Sequence, residues 1–171
     1  MKLLIVVDMQ NDFIDGALGS KMAEAIVPGV KKRIEEFDGE IIFTRDTHTE
    51  NYLDTQEGRR LPVIHCVKDT DGWQISDALP IPEGAIIIDK ETFGSTDLSE
   101  CLAMLESAEH IESVELLGLC TDICVISNAF IVKATLPEAC VSVNAALSAG
   151  VSEESYNTAL AAMRACQIDI K

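Results

Sequence analysis

Two thiols stand four residues apart, Cys120 and Cys124 in "GLCTDICV", directly after the apolar run "VELLGL". A thiolate is a strong nucleophile and metal ligand, whereas a buried free cysteine often serves only as a small hydrophobe. Residue type therefore leaves packing, ligation and nucleophilic chemistry open. Three further reactive groups follow apolar runs: Asp8 ends "LLIVVD", Asp46 and His48 follow "EIIFT", and Lys90 follows "AIIID". One charged residue after a strand is ordinarily a solvated loop residue or a cap. An acid, an Asp-x-His pair, a lysine and a thiol in such places together contain the parts of an activated nucleophile. Cys124 falls in the first turn of a helix expected to begin near Thr121 and Asp122. There, unpaired N–H groups and the helix dipole favour a thiolate, and the same amides can hold an oxyanion.

A second group of residues has the character of a metal site. "RDTHTENY" supplies Asp46 and His48, and "LPVIHC" supplies His65. One Asp and two His suffice for a first shell around Zn²⁺ or a similar divalent ion, with positions left for water or substrate. The alternative is two unrelated loop histidines. His110, in "SAEHIESV", has no companion and reads as a surface residue. Phe13 and the lone tryptophan, Trp73, sit in segments that follow strands. Each could pack in the core or face a ligand.

These groups need a scaffold. Six short Ile- and Val-rich runs recur at 3–7, 40–44, 85–89, 114–119, 140–145 and 166–170. Several are apolar at consecutive positions, as in strands covered on both faces. Between most of them the spacing is helical. Ile26, Val30, Ile34 and Phe37 form one stripe, and Leu98, Leu102 and Leu105 another, behind Thr96 and Asp97 as cap residues. Residues 121–136 are apolar nearly all round, and Ser152 opens a helix with acidic residues in its first turn. Alternation of this kind predicts a parallel sheet with helices on both sides, where ligands bind at the carboxyl ends of the strands. Residues 45–84 break the pattern: they are polar, rich in turn signals and long for a loop, which points to function.

The 171 residues suit one domain, 1–171, with no internal repeat or linker. A net charge of −16 argues against nucleic-acid or anionic-membrane partners. "MKLLIVVDMQ" stops being apolar at Asp8 and carries no cleavage signal, and no run is long enough to span a bilayer, so the expected place is the cytoplasm. The six cysteines show no C-x-x-C pair and no disulfide-scaffold spacing. Reduced thiols are expected, since Cys120 and Cys124 a helical turn apart suit a disulfide poorly.

"DMQNDF" after the first strand, a lysine after a later strand and "G-L-x-T-D-x-C-V" resemble the isochorismatase-like cysteine hydrolases, above all the nicotinamidases. The resemblance spans nearly the whole chain in motif order. It implies an α/β fold, three-layer α/β/α, with a six-stranded, mostly parallel, doubly wound sheet. It also implies a triad of Asp8, Lys90 and Cys124, in which Asp8 is the base, Lys90 favours the ionised forms and Cys124 is the nucleophile. Cys120, often preceded by a cis peptide in the family, would join Cys124 in supplying oxyanion N–H groups. Nicotinamidases have the Asp-x-His pair and a later His before Cys, so the resemblance assigns Asp46, His48 and His65 to a divalent metal, zinc first, with Glu57 as an added carboxylate. It places Phe13 and Trp73 on either side of a flat ring. The implied activity is that of a metal-containing cysteine amidohydrolase acting on nicotinamide through a thioester. A related hydrolase of another small amide and a non-catalytic metal or thiol sensor are the alternatives. "KETFGST" departs from the usual serine–alanine–phenylalanine ending of many nicotinamidases, which leaves the exact amide open. The sequence allows a homo-oligomer without specifying one.

Overall fold

Strand β1 (Lys2–Val7) shows why a sheet forms: Leu3 to Val7 are each at most 1% exposed, so both faces are covered. A computed structural model describes residues 1–171, with strands β2 (Glu40–Asp46), β3 (Ile86–Lys90), β4 (Ser113–Leu119), β5 (Cys140–Ala149) and β6 (Asp169–Ile170). All pair in parallel in the order β3-β2-β1-β4-β5-β6. The strand order reverses between β1 and β4, the position where a doubly wound sheet opens a crevice.

The helices are α1 (Asn11–Ile14), α2 (Lys21–Glu36), α3 (Gln56–Arg60), α4 (Thr96–Ala108), α5 (Ile126–Thr135) and α6 (Glu153–Ala165). Alternate side chains of β1 enter two separate cores. Leu3, Ile5 and Val7 join Leu98 and Leu102 of α4, Ala129 and Val132 of α5, and Leu160 and Met163 of α6. Leu4 and Val6 join Val30 and Ile34 of α2. Each of these Leu, Ile, Val and Met side chains contributes about 1.5–3 kcal/mol on burial. The expected stripes of α2 and α4 face these cores. One cap differs from expectation: Ser95, not Thr96 or Asp97, accepts the Leu98 N–H at the start of α4. Ser152 caps α6 as expected, in a reciprocal pair with Ser155.

The polar segment after β2 contains a short 3₁₀ turn (Tyr52–Asp54) and α3, and no strand of the sheet. Of its buried apolar residues, Ile75 and Leu79 enter the core beside α2. Gly118 lets β4 approach β1: its φ is +120°, and a Cβ there would lie 2.2 Å from the Val7 carbonyl oxygen. No helix is long and apolar enough to cross a membrane.

Candidate active site

The carboxyl ends of three adjacent strands and the turn after a fourth deliver the reactive groups. Asp8 follows β1, Asp46 and Lys90 end β2 and β3, and Cys124 lies in a π-helical turn (Thr121–Val125) between β4 and α5. Lys90 is 3% exposed, and its Nζ lies 2.7 Å from Asp8 Oδ2, 3.1 Å from Asp46 Oδ1 and 3.4 Å from Cys124 Sγ. Asp8 is fully buried, and its Oδ1 accepts the Thr44 hydroxyl at 2.7 Å. One ammonium thus serves two carboxylates and a thiol in a water-excluded space. Burial opposes charge on Lys90, but Asp8, Cys124 and Asp46 outweigh it and raise its pKa.

The resting thiol differs from the expectation of a lysine-depressed pKa. Burial and the Asp8 carboxylate push Cys124 up more strongly than Lys90 lowers it. The Cys124 thiol therefore keeps its proton until a base removes it. Burial also raises Asp8 against the pull of Lys90, which makes it a better acceptor than a solvated carboxylate. Burial pushes the Cys120 thiol up to about 12, so it stays protonated at neutral pH. The Leu119–Cys120 peptide is cis.

Beside the triad, Asp46, His48, Glu57 and His65 bring one donor atom each to within 4.8 Å of one another. His48 Nε2 is 2.9 Å from Asp46 Oδ2 and 3.6 Å from Glu57 Oε1, and His65 Nε2 is 3.6 Å from the same Asp46 oxygen. An ion with bonds of about 2.0–2.2 Å in tetrahedral geometry sets its donors roughly 3.3–3.6 Å apart, so the cluster has the right dimensions. Its chemistry agrees. His48 Nε2 is buried and, although 2.9 Å from Asp46 Oδ2, makes no well-aligned hydrogen bond. His65 Nδ1 lies 2.7 Å from the Val63 carbonyl, which turns Nε2 toward the cluster. Burial and the nearby Asp46 charge raise the Glu57 pKa, a repulsion that a cation would relieve. The donor set fits a divalent metal.

A cavity of about 670 Å³ opens above both groups, within the range of small-molecule sites. Phe13, Phe93, Ile123 and Val151 give it apolar walls, and Cys124, Asp46, His65 and Glu57 reach it. Trp73 does not line it, which corrects the expected pairing of Phe13 and Trp73. The indole is 5% exposed, lies 3.6 Å beneath the Arg45 guanidinium and donates to Thr47 Oγ1 at 2.8 Å. Stacking and a satisfied N–H hold it in the protein. Phe93, 44% exposed, is the second aromatic residue of the cavity.

Residues 2–170 match the family model described as "Isochorismatase domain". The chain belongs to this family. Among relatives, it is similar to a nicotinamidase of Saccharomyces cerevisiae, 28% identical over 75% of this chain and 80% of that protein. Among solved structures it is similar to the pyrazinamidase of Pyrococcus horikoshii in complex with zinc, at 31% identity and a TM-score of 0.85, covering 99% of this chain and 98% of that one. It is also similar to N-carbamoylsarcosine amidase from Thermoplasma acidophilum, at 27% identity and a TM-score of 0.82, covering 99% and 95%.

Within this isochorismatase-family site, three contributors lie outside the sequence reading. Thr44 orients Asp8 but lies inside an apolar strand, where nothing marks it. Tyr52 is fully buried against both imidazoles, with ring centroids 4.5 Å from His48 and 4.9 Å from His65. An aromatic residue four positions after His48, in an otherwise polar segment, was the available signal. Asn128 donates to the carbonyls of Cys124 and Phe93 and accepts the Ser95 N–H, tying the thiol-bearing turn to the cavity wall and to α4.

Proposed function

We propose that this chain hydrolyses nicotinamide to nicotinate and ammonia through a thioester on Cys124, with a divalent ion, zinc first, held by Asp46, His48, His65 and Glu57. The chain is a hydrolase of a carbon–nitrogen bond in small amides. The observation that carries the finer reading is the convergence of Asp8 and Cys124 on Lys90, with Asp46 joining that lysine to the histidine cluster.

Asp8 takes the proton from Cys124 Sγ as the sulfur attacks the amide carbon. N–H groups of Cys120 and Cys124 hold the oxyanion. As the tetrahedral species collapses, Asp8 returns the proton to the leaving nitrogen and ammonia departs. Asp8 then takes a proton from water, which attacks the thioester, and returns it to the departing thiolate. Lys90 stays charged and keeps both partners in place. A bound metal would polarise or orient water and the pyridine nitrogen. The apolar walls at Phe13 and Phe93 suit a flat ring. Six free cysteines, two of them exposed, suit a reducing compartment, which supports a cytoplasmic enzyme.

The second reading is hydrolysis of another small amide. It is favoured by the likeness to N-carbamoylsarcosine amidase and by the absence of Trp73 from the cavity wall. Ammonia release from nicotinamide, benzamide and an aliphatic amide, with and without chelator, separates the readings. The expected result is turnover of nicotinamide, lost on chelation and restored by zinc, with benzamide distinctly slower because it lacks the ring nitrogen. Equal turnover of both aromatic amides would remove the metal from recognition. Release from the aliphatic amide alone would favour the second reading, and release from none would favour a sensor.

A further inference from the structure

We infer that Gln10, assisted by Asp12, sets the metal affinity of the Asp46–His48–His65–Glu57 cluster without touching the ion. The inference rests on the metal reading above. Pairing between β1 and β2 ends at Val7 and Thr44. Asp46, two residues further along β2, keeps Lys90 of β3 as its partner on one side and has no strand on the other. The Gln10 side chain takes that strand's place. Its Oε1 accepts the Asp46 N–H at 2.7 Å, and its Nε2 donates to the Asp46 carbonyl at 2.8 Å. The second Nε2 hydrogen goes to the Trp73 carbonyl, also at 2.8 Å. The amide is fully buried, so no water competes for these groups. The backbone of Asp46 is thus gripped through both of its polar groups, which fixes the direction of a carboxylate shared by Lys90 and the cluster.

Asp12 does the same for the loop that carries His65. Its Oδ2 accepts the N–H of Cys66, the residue after His65, at 2.7 Å, and the Cys66 carbonyl accepts the His48 N–H at 2.9 Å. Gly72 permits the close approach, since a Cβ there would fall 2.1 Å from Asp12 Oδ2. The segments that carry Asp46, His48 and His65, three of the four ligands, therefore hang on Gln10 and Asp12, neither of which offers a ligand atom. Partners that orient the ligands of a metal contribute roughly 10–100-fold to its affinity, and a loosened Asp46 or His65 would forfeit that gain. Gln10 and Asp12 are positioning residues.

The test is zinc affinity of the full chain, measured by competition with a chromophoric chelator for the native protein, Gln10→Met and Asp12→Asn. Gln10→Met keeps the volume and removes every hydrogen bond of the amide. Asp12→Asn, at a half-buried site, keeps one acceptor. The melting temperature of each metal-free protein is recorded alongside, because a purely structural role would lower it and leave the affinity of the folded fraction unchanged. The expected result is zinc binding weakened on the order of 10–100-fold in Gln10→Met and by less in Asp12→Asn. If Gln10→Met does not fold, Asp12→Asn decides alone. Native-like affinity in the folded variants would overturn the inference and leave the metal site standing. Failure of the native chain to bind zinc would overturn both.

Discussion

The two thiols of "GLCTDICV" differ in what surrounds them. Burial raises the pKa of both, but Cys124 Sγ lies 3.4 Å from Lys90 Nζ, whose ammonium also holds the Asp8 carboxylate, whereas the Cys120 thiol makes no hydrogen bond to either group. Cys124→Ala should fold normally and lose all measurable ammonia release, while Cys120→Ala should keep activity within a few-fold of native. Mass spectrometry after brief alkylation at neutral pH should find adduct on Cys124 in preference to Cys120, and the reverse order would refute the assignment of the nucleophile. At this scale the sequence was readable where chemistry and position coincide. Asp8, Asp46, Lys90 and Cys124 all belong to reactive residue types at strand ends. Electrostatic state was not readable, because burial outweighs the pull of Lys90 on the thiol and no spacing reveals that. Trp73 misled because a lone aromatic in a polar loop looks available, while its partners Arg45 and Thr47 meet it only in the fold.

Among the elements, α2 is fastened to the sheet by a charged contact far from the chemistry. Arg33 of α2 makes two hydrogen bonds of 2.9 Å to Glu115 of β4, and Asn144 of β5 adds a third at 3.2 Å. Burial opposes the charge on Glu115, but Arg33, Asn144 and Lys171 together outweigh it and hold the carboxyl below its ordinary range. A lowered pKa in the folded state means stability that is complete above the unfolded value and lost as pH falls through the folded one. Glu115→Gln should therefore cost about 1.5–3 kcal/mol at pH 7. The native and variant melting temperatures should converge at pH values below the ordinary carboxylate range. A constant difference across that range would show that the charge is irrelevant. Element positions were legible from the apolar runs, and the stripe of Leu98, Leu102 and Leu105 lies on α4 as expected, although that helix already begins at Thr96. The segment after β2 was legible only as an insert, because its anchors Ile75 and Leu79 are too sparse to show a period.

For the molecule as a whole, a net charge of −16 surrounds the proposed reaction, which takes in neutral nicotinamide and releases anionic nicotinate. Raising ionic strength from 0.01 to 0.15 M shortens the screening length from about 30 to about 8 Å. Product inhibition by nicotinate should consequently strengthen by several-fold as salt rises, while KM for nicotinamide stays constant. An inhibition constant indifferent to salt would mean that the overall field does not reach the cavity. The order of strands has another consequence. Asp8, Asp46 and Lys90 arrive on β1, β2 and β3, whereas Cys124 arrives from beyond β4, across the single seam where β1 pairs with β4. Under the proposed roles, neither flank of that seam holds both the base and the nucleophile. A half-assembled chain should then be chemically silent, and recovery of ammonia release during refolding should report the moment at which the two halves of the sheet join.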